Sequence, residues 1–371
     1  MNNSKYKISF CTVCMNRLHH LKETLPKNIH DNIDYGNIEF VLLNYNSKDN
    51  LDDWVKSEMV EYIESGLLVY YKTTEPENFK MSHSKNVVSR CATGDVICNI
   101  DADNFTGKGF ADYVNKMFIK DSNVFLTTYI NLATRDCCGR ICLKKEDFYN
   151  SSGYDENMES YGFEDLDLKN RLQMLSVKKV NIEESSFLKA IHHDDKERLE
   201  NDKSFLEFEG VFFKHISYSS SIVLFLFKNS KYFIGRVIIN RLINSESIDN
   251  LFVENRQHEH EYSILGDHWE TGKWNNNNNN LCLNETPKII HEIKQKDYIK
   301  YSSDEHVKIN GVEFIKMEDE EDILIFTMFY SQITNRNRME DNQKNNYIVV
   351  NKNSYGKANL IKNFSGSIKL V

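Results

Sequence analysis

No apolar run in this 371-residue sequence reaches the roughly 20 residues that a membrane-spanning helix requires. The nearest approach, Ser221-Ile222-Val223-Leu224-Phe225-Leu226-Phe227, is far too short. The polar start, Met1-Asn2-Asn3-Ser4-Lys5, has no charged and apolar leader pattern and leads straight into an apolar segment. No long block of Lys and Arg occurs and the formal net charge is -9, which disfavours nucleic acid as a partner. The eight cysteines supply one Cys-x-x-Cys, at Cys11 and Cys14, and no second pair with matching spacing. A paired zinc or redox site is therefore disfavoured, and these thiols read as buried apolar filler. Reduced cysteines without an export signal give the cytoplasm as the expected location. There is no strong internal repeat. The first apolar run is followed by Cys14-Met15-Asn16-Arg17, not by a Gly-rich basic phosphate loop.

Hydrophobic residues make up 40% of the chain, enough for a core, and the length suggests two domains or one large one. Residues 7–14, 38–43, 67–71 and 96–100 read as buried strands. Between them Leu18, Leu21 and Leu25 recur at helical spacing, residues 51–63 and 82–91 read as helices, and 110–118 follows as another. This alternation predicts an α/β fold: a mixed, mostly parallel sheet with helices on both faces. Residues 124–130 and 140–143 read as further strands and 164–175 as a helix. After about residue 220 the texture changes to short strand-like runs at 232–239, 262–265, 281–283, 307–309, 323–326 and 347–350, with the Asn run 275–280 as a loop. The expected division is a first domain over 1–220 and a smaller β-rich C-terminal domain over 221–371.

Asp101-Ala102-Asp103 follows the apolar Val96-Ile97-Cys98. With a residue period of two, a strand ending there turns both carboxylates to one face at its carboxyl end. Two such carboxylates repel unless a cation lies between them, and hard divalent cations favour carboxylate oxygen. A surface Asp pair after an edge strand reads equally well from spacing alone. Ligands of open α/β sheets bind at carboxyl ends of strands, and Asn16, Asn44 and the Asp pair all fall at such ends. Glu164-Asp165 opens a helix, where the dipole favours carboxylates even without a chemical task.

Several segments together resemble glycosyltransferase family 2. These are residues 8–17, then Asn44-Tyr45-Asn46-Ser47-Lys48-Asp49, Ser82-His83-Ser84-Lys85-Asn86, Ala92-Thr93-Gly94-Asp95 and Asp101-Ala102-Asp103. Asn44 stands where that family usually has an acid, Asn46 where it has Gly, and Lys85 where it has Arg. Gly153-Tyr154-Asp155-Glu156 and Tyr161-Gly162-Phe163-Glu164-Asp165-Leu166-Asp167-Leu168 resemble the C-terminal motif of the galactosyltransferase-like (family 7) enzymes, with Tyr161 in place of the usual Trp. The resemblance covers about residues 7–195.

The resemblance implies a GT-A (Rossmann-like) nucleotide-sugar-binding domain, a nucleotide-sugar donor, UDP-linked by expectation, and manganese or magnesium. It implies Thr12, Asn16, Arg17, Asn44, Asn46, Lys85, Asn86, Asp101, Ala102, Asp103 and Arg140 on the donor side. Asp103 would hold the metal, completed by His193 or His192, with His193 preferred because Asp194-Asp195 follow and could orient it. Asp165 would be the base that activates the acceptor hydroxyl, with Glu164, Tyr161 and Gly162 binding the acceptor, which implies inversion at the anomeric carbon. The implied setting is surface polysaccharide or glycoconjugate synthesis on a glycan acceptor, with peripheral membrane association through that pathway left open. A sugar-phosphate nucleotidylyltransferase and a non-catalytic glycan-binding protein are the alternatives. His83 reads as a structural or donor-pocket residue. His258-Glu259-His260-Glu261 reads as a charged turn, and Trp269 and Trp274 as core aromatics or, less readily, sugar-stacking rings.

Overall fold

The computed structural model describes residues 5–129, 136–192, 195–201, 207–217, 220–242, 257–277, 280–284, 287–288, 293–300, 306–309, 312–318, 320–352 and 354–371. The chain divides into two compact units, one of residues 1–194 with 338–371 and one of residues 195–337. The sequence division was placed at 220 with everything beyond it in the second domain. The chain instead returns to the first unit for its last stretch.

The first unit opens with the expected alternation: β1 (Ile8–Cys14), α1 (Leu18–Asn32), β2 (Ile38–Tyr45), α2 (Leu51–Glu58), α3 (Val60–Glu64), β3 (Leu68–Thr73), α4 (Met81–Cys91) and β4 (Val96–Asn99). The single helix expected over 51–63 is two, divided at Met59. A two-residue strand β5 (Asn104–Phe105), α5 (Phe110–Lys120), β6 (Val124–Thr127), β7 (Cys142–Lys144), α6 (Lys145–Asn150), α7 (Glu164–Met174), β8 (Lys178–Asn181) and β9 (Lys189–Ala190) complete the run. Arg140 lies in the turn before β7, not on the strand expected over 140–143.

β3, β2, β1 and β4 are neighbours in that order and parallel. β7 then joins β4 antiparallel, and β6 and β8 extend the sheet. At the other edge the hairpin of Ala358–Lys362 and Gly366–Leu370 pairs antiparallel with β3 through its first strand, so the sheet has nine strands among the described residues. The central strands β1 and β2 are buried along nearly their whole length because both faces are covered, and they read as mostly apolar runs for that reason, with Ser9 and Glu39 buried as a hydrogen-bonded pair. On one face Phe10, Phe40 and Leu42 pack with Leu21, Leu25 and Ile29 of α1 and with Phe110, Val114 and Phe118 of α5. On the other, Cys11, Val41, Leu43 and Ile97 pack with Val87 and Val88 of α4 and with Leu168 and Leu172 of α7. Cys11 and Cys14 are buried free thiols, and burial raises both above the ordinary thiol range. The order β3-β2-β1-β4 reverses direction between β1 and β4, and the carboxyl ends of strands at such a reversal are where open α/β sheets form a binding crevice.

The second unit is built mainly of antiparallel strands. Phe208–Ser217, Ser220–Phe227 and Lys231–Leu242 form a meander, and Lys231–Leu242 pairs with the long strand Gln257–Asn277. Phe208, Phe213, Phe225 and Phe233 share a core with Phe326 and Ile333. Trp274 packs with Leu224, Leu226 and Tyr232 and its indole N–H donates to the Phe227 carbonyl at 2.8 Å, so it is a core residue. The side chain of Trp269 lies outside the described residues. His258-Glu259-His260-Glu261 is strand, not turn, paired with residues 296–299. The Asn run expected as a loop continues the strand to Asn277 and resumes it at Asn280. Residues 323–326, expected as a strand, belong to the 25-residue helix Glu320–Lys344, and 347–350 is not a strand. Among the described residues no helix is long and apolar enough to cross a membrane.

Candidate functional site

The crevice residues come from four elements. β4 ends at Asn99, and the next backbone N–H, of Ile100, still donates to the Cys11 carbonyl of β1 at 2.9 Å. The chain then leaves the sheet, and Asp101, Ala102 and Asp103 form a turn closed by the Asn104 N–H on the Asp101 carbonyl at 3.0 Å. Asp103 is buried and Asp101 half-buried. The Asn99 side-chain amide donates to Asp101 Oδ1 at 3.1 Å and to the Gly139 carbonyl at 3.0 Å, which ties the turn to the segment before β7.

Gly139 is where the two carboxylate groups meet. A Cβ there would lie 2.6 Å from Asp101 Oδ2 and 3.3 Å from Asp165 Oδ2. Only a residue without a side chain fits between them at that distance. Asp165 and Glu164 are the first residues of α7, entered through Gly162 (φ 98°) and Phe163 (φ 68°). A left-handed Phe is strained backbone, here placed directly before the two acids. Lys85, on α4, reaches across to them: Nζ donates to Glu164 Oε1 at 3.0 Å and to Asp165 Oδ1 at 2.8 Å, and it lies 5.2 Å from the centre of the Tyr154 ring.

The charges are strongly coupled. Burial disfavours the charged form of Lys85, but Asp165, Glu164 and Asp101 outweigh it and hold the ammonium well above its ordinary value. Burial pushes the Glu164 carboxyl up, opposed by Lys85 and reinforced by Asp165. Burial likewise pushes Asp101 up, opposed by Lys85, with Asp103 and Asp165 adding repulsion. Lys85 thus faces three carboxylates, with the buried Lys169 adding charge near Asp165 while donating to the Cys138 carbonyl at 2.8 Å, and burial and repulsion together act on Asp101. An all-oxygen pair of this kind, at a strand end and short of positive charge, suits a hard divalent cation. Asp103 and Asp101 are the residues that would hold it.

Asp103 is gripped from behind. The Asn104 side-chain amide donates to Asp103 Oδ1 at 3.0 Å and to the Asp136 carbonyl at 2.9 Å, and its oxygen accepts from Arg140 Nη2 at 3.0 Å. Arg140 is completely buried against the Phe110 ring and also donates to the Phe105 carbonyl, while its Nε and Nη1 find no hydrogen-bond partner. It is a buried cation behind the turn, not a surface charge. β9 runs beside β5, and the Ile191 N–H donates to the Asp103 carbonyl at 2.9 Å, which brings His192 to this end of the crevice. Its Nδ1 meets Asp136 Oδ2 at 3.1 Å, and the ring is 83% exposed. His193 lies outside the described residues.

The other expected donor-side residues mostly build the neighbouring loops. Asn44 donates to Asp52 Oδ1 at 3.0 Å and to the Tyr70 hydroxyl at 2.8 Å and accepts from the Ser47 N–H at 2.8 Å. Its amide is therefore taken up by α2, β3 and the start of its own loop. Asn46 (φ 58°) donates to the Pro76 carbonyl at 2.6 Å. Asn16 (φ 56°) accepts from the Lys48 N–H at 2.6 Å, and its own N–H donates to Ser47 Oγ at 2.7 Å, joining the loops after β1 and β2. Arg17 Nη1 donates to the Asn16 carbonyl at 3.2 Å. Thr12 is buried within β1. Asn86 donates to the Tyr154 carbonyl and to Glu156 Oε1, both at 2.9 Å, away from Lys85. His83 bridges the Tyr45 hydroxyl at 2.7 Å and the Lys357 carbonyl at 2.9 Å, a structural position. Tyr161 and Gly162 are half-buried in the loop that leads to Glu164.

Sequence reasoning passed over Gly139, Asn99 and Asn104. Asn104 directly follows the Asp pair and could have been considered with it. Gly139 had no signal beyond being a glycine beside Arg140.

The crevice's strands and turn coincide with a known domain. Residues 9–129 match the family model for glycosyl transferase family 2. This family 2 region takes in β1 to β6, Lys85 and Asp101-Ala102-Asp103, and with the mixed, largely parallel sheet it gives a GT-A-like α/β domain. Glu164 and Asp165 fall outside it. No curated protein matches the chain. Among solved structures, the mannosyltransferase PcManGT of Pyrobaculum calidifontis, in complex with GDP-Man and Mn2+, is 18% identical, with a TM-score of 0.40 over 48% of this chain and 55% of that one. GalNAc-T7 with UDP, GalNAc and Mn2+ is 14% identical, with a TM-score of 0.41 over 48% of this chain and 43% of that one. S. aureus TarS 1-349 is 14% identical, with a TM-score of 0.41 over 50% and 59%. The chain thus spans about half the length of the solved structures that it matches.

Proposed function

We propose that this protein is an inverting, metal-dependent glycosyltransferase that moves a sugar from a nucleotide donor, UDP-linked by preference, to a hydroxyl of a glycan acceptor. The observation that carries the reading is the pairing across Gly139. Asp101-Ala102-Asp103 at the end of β4 and Glu164-Asp165 at the start of α7 face one crevice, with Lys85 between them. The family 2 match over the first half of the site supports the donor side.

In the reaction the acceptor oxygen forms a bond to the anomeric carbon while that carbon's bond to the diphosphate oxygen breaks. The bonding electrons leave with the diphosphate, and Asp165 takes the hydroxyl proton. Asp103, with Asp101 and His192, would hold a divalent cation, which would supply charge neutralisation for the leaving diphosphate. Asp103 is fixed for this by Asn104, and Lys85 sets where the Asp165 carboxylate points. Glu164 accepts from Lys85 on the buried side and orients the acceptor. Arg140, buried behind the turn, supports the donor end indirectly by holding the Asn104 side chain that grips Asp103. A positioned carboxylate base contributes about 10²–10⁴ in rate. The glycan acceptor places the enzyme in surface polysaccharide or glycoconjugate synthesis.

The test is nucleotide release from a panel of nucleotide sugars with and without Mn2+. UDP release that depends on Mn2+ and is lost in Asp103→Ala is expected. Release of pyrophosphate from a sugar phosphate and a nucleotide would replace this reading with nucleotidyl transfer. No response to any nucleotide would overturn it.

A further inference from the structure

The sequence between Asp155 and Asp167 carries every residue assigned to the acceptor: Tyr161, Gly162, Glu164 and Asp165. It leaves the structure of α6 through the turn at Gly153 and becomes helical only at Glu164. Most of it is bends, so its position depends on how its two ends are held.

Both ends are buried carboxylates, and one side chain joins them. Asn342 Nδ2 donates to Asp155 Oδ2 at 3.1 Å and to Asp167 Oδ1 at 3.0 Å. A primary amide has two N–H groups, so a single Asn serves both acids at once. Asp155 also takes a fork from Arg338, with Nε on Oδ2 at 2.5 Å and Nη2 on Oδ1 at 3.1 Å. Asp167 takes Arg171 Nε on Oδ2 at 2.7 Å, and Arg171 continues to the Ser151 and Gly153 carbonyls at 2.6 and 2.8 Å. Asp155, Asp167, Arg171 and Asn342 are all buried. The network therefore closes the segment into a loop pinned at its base, with Arg338 and Asn342 one helical turn apart on the last part of the helix Glu320–Lys344.

The neighbouring C-terminal residues continue the same support. The Asn351 amide donates to the Ser152 and Tyr154 carbonyls, both at 2.7 Å, and the Gly356 N–H donates to Glu156 Oε1 at 2.6 Å. Residues from 338 on thus contact the acceptor segment at its start, at its end and beside its first turn. Among the described residues, Asn342 is the side chain that bonds both Asp155 and Asp167.

We propose that Arg338 and Asn342 are positioning residues for acceptor use, and that the C-terminal segment is a working part of the transfer domain. This deepens the glycosyltransferase reading and rests on it for the word acceptor, but the pinning of residues 155–167 stands apart from it. Neither residue touches substrate. Asn342 acts by fixing Asp167, one turn along α7 from Glu164, and Asp155 at the loop's entry. A loss of either donor leaves a buried carboxylate short of a hydrogen bond, which the loop can relieve only by moving. Transfer is then expected to fall because Asp165 is misplaced by a fraction of an ångström, while the nucleotide end of the site is left alone.

The experiment compares wild type, Asn342→Ala, Asn342→Ser and Arg338→Met in the full chain. Hydrogen exchange is read over 156–163 and over β1 to β4, together with UDP–Mn2+ binding and the kcat and KM of sugar transfer. Exchange over 156–163 should rise by roughly tenfold or more in Asn342→Ala, with β1 to β4 unchanged. The kcat should fall by about tenfold or more while UDP–Mn2+ affinity stays within about twofold. Asn342→Ser, which keeps a hydroxyl donor, should recover part of both effects. If Asn342→Ala does not fold, Arg338→Met, whose side chain is 36% exposed, carries the same test. Unchanged exchange and unchanged kcat would overturn the proposal while leaving the enzyme reading intact. A wild type without nucleotide binding or turnover would sink the enzyme reading, and the exchange result alone would then decide the pinning.

Discussion

Lys85→Met tests the electrostatics of the crevice through stability, without any substrate. The substitution keeps a long unbranched side chain in the pocket and removes the one ammonium that meets Glu164 at 3.0 Å and Asp165 at 2.8 Å. Lys85 and Glu164 are nearly inaccessible, at 5% and 7% side-chain exposure, so solvent screening relieves little of the loss; Asp165, at 19%, keeps some. Removing one partner of a buried ion pair costs about 3–5 kcal/mol. For a domain of this size 1 kcal/mol moves the midpoint by about 2–4 °C, so the unfolding transition of the first unit should drop by roughly 6–20 °C at neutral pH. The size of the drop should depend on pH in one direction. Burial and mutual repulsion already raise Glu164 and Asp101 above their ordinary values of 4.5 and 3.8. Without Lys85 they rise further, so acid that protonates them should bring variant and wild type together. Thermal unfolding followed by circular dichroism between about pH 5 and pH 8 measures both points. A midpoint within about 2 °C of wild type at pH 7.5 would show that the carboxylates do not depend on Lys85, and the charge argument would fail.

Other perturbations separate the parts of the site. Gly139→Ala places a methyl group 2.6 Å from Asp101 Oδ2; turnover should fall by about tenfold or more, with a smaller change in midpoint than for Lys85→Met, and full activity would refute the close approach. A carboxyl whose folded pKa is raised binds its proton more tightly in the native state, so the metal-free protein should lose stability as pH rises from 3.8 through the folded value of Asp101. A bound cation displaces that proton, and the Mn2+-induced rise in midpoint should therefore grow from about pH 5 to pH 7.5; an equal rise at both would remove Asp101 from the metal's surroundings. Asn104→Ala removes the amide that holds Asp103 Oδ1 and should weaken Mn2+ binding measured by calorimetry, where unchanged affinity would make that contact incidental.

The sheet was legible because its central strands are buried on both faces and therefore stand out as mostly apolar runs, as in residues 8–14 and 38–45. Strand ends followed from the same runs, and with them the place of Asp101-Ala102-Asp103. Residues 323–326 misled because Ile-Leu-Ile-Phe is a short apolar run that fits a buried strand or a buried helix, and only the longer context makes it part of a 25-residue helix. The return of residues 338–371 to the first unit rests on contacts distant in sequence, such as Asn342 with Asp155 and the 358–362 strand with β3. Nothing local in Asn342 announces such a partner. Asn44 stands in the donor motif by position, but the amide that replaces the usual acid is bonded to Asp52 of α2 and Tyr70 of β3. Position along a strand was readable from pattern; the direction of a polar side chain was set by tertiary neighbours.

The central claim is that the Asp pair after β4 and the acids opening α7 are two halves of one site with different tasks. Asp165→Asn tests it most directly, with UDP–Mn2+ binding and sugar transfer measured on the same preparation. The account predicts binding within about twofold of wild type and transfer reduced by about 10²-fold or more, because the amide cannot take the acceptor's proton. A variant that keeps most of its transfer activity would contradict it, and so would one that loses nucleotide binding along with transfer.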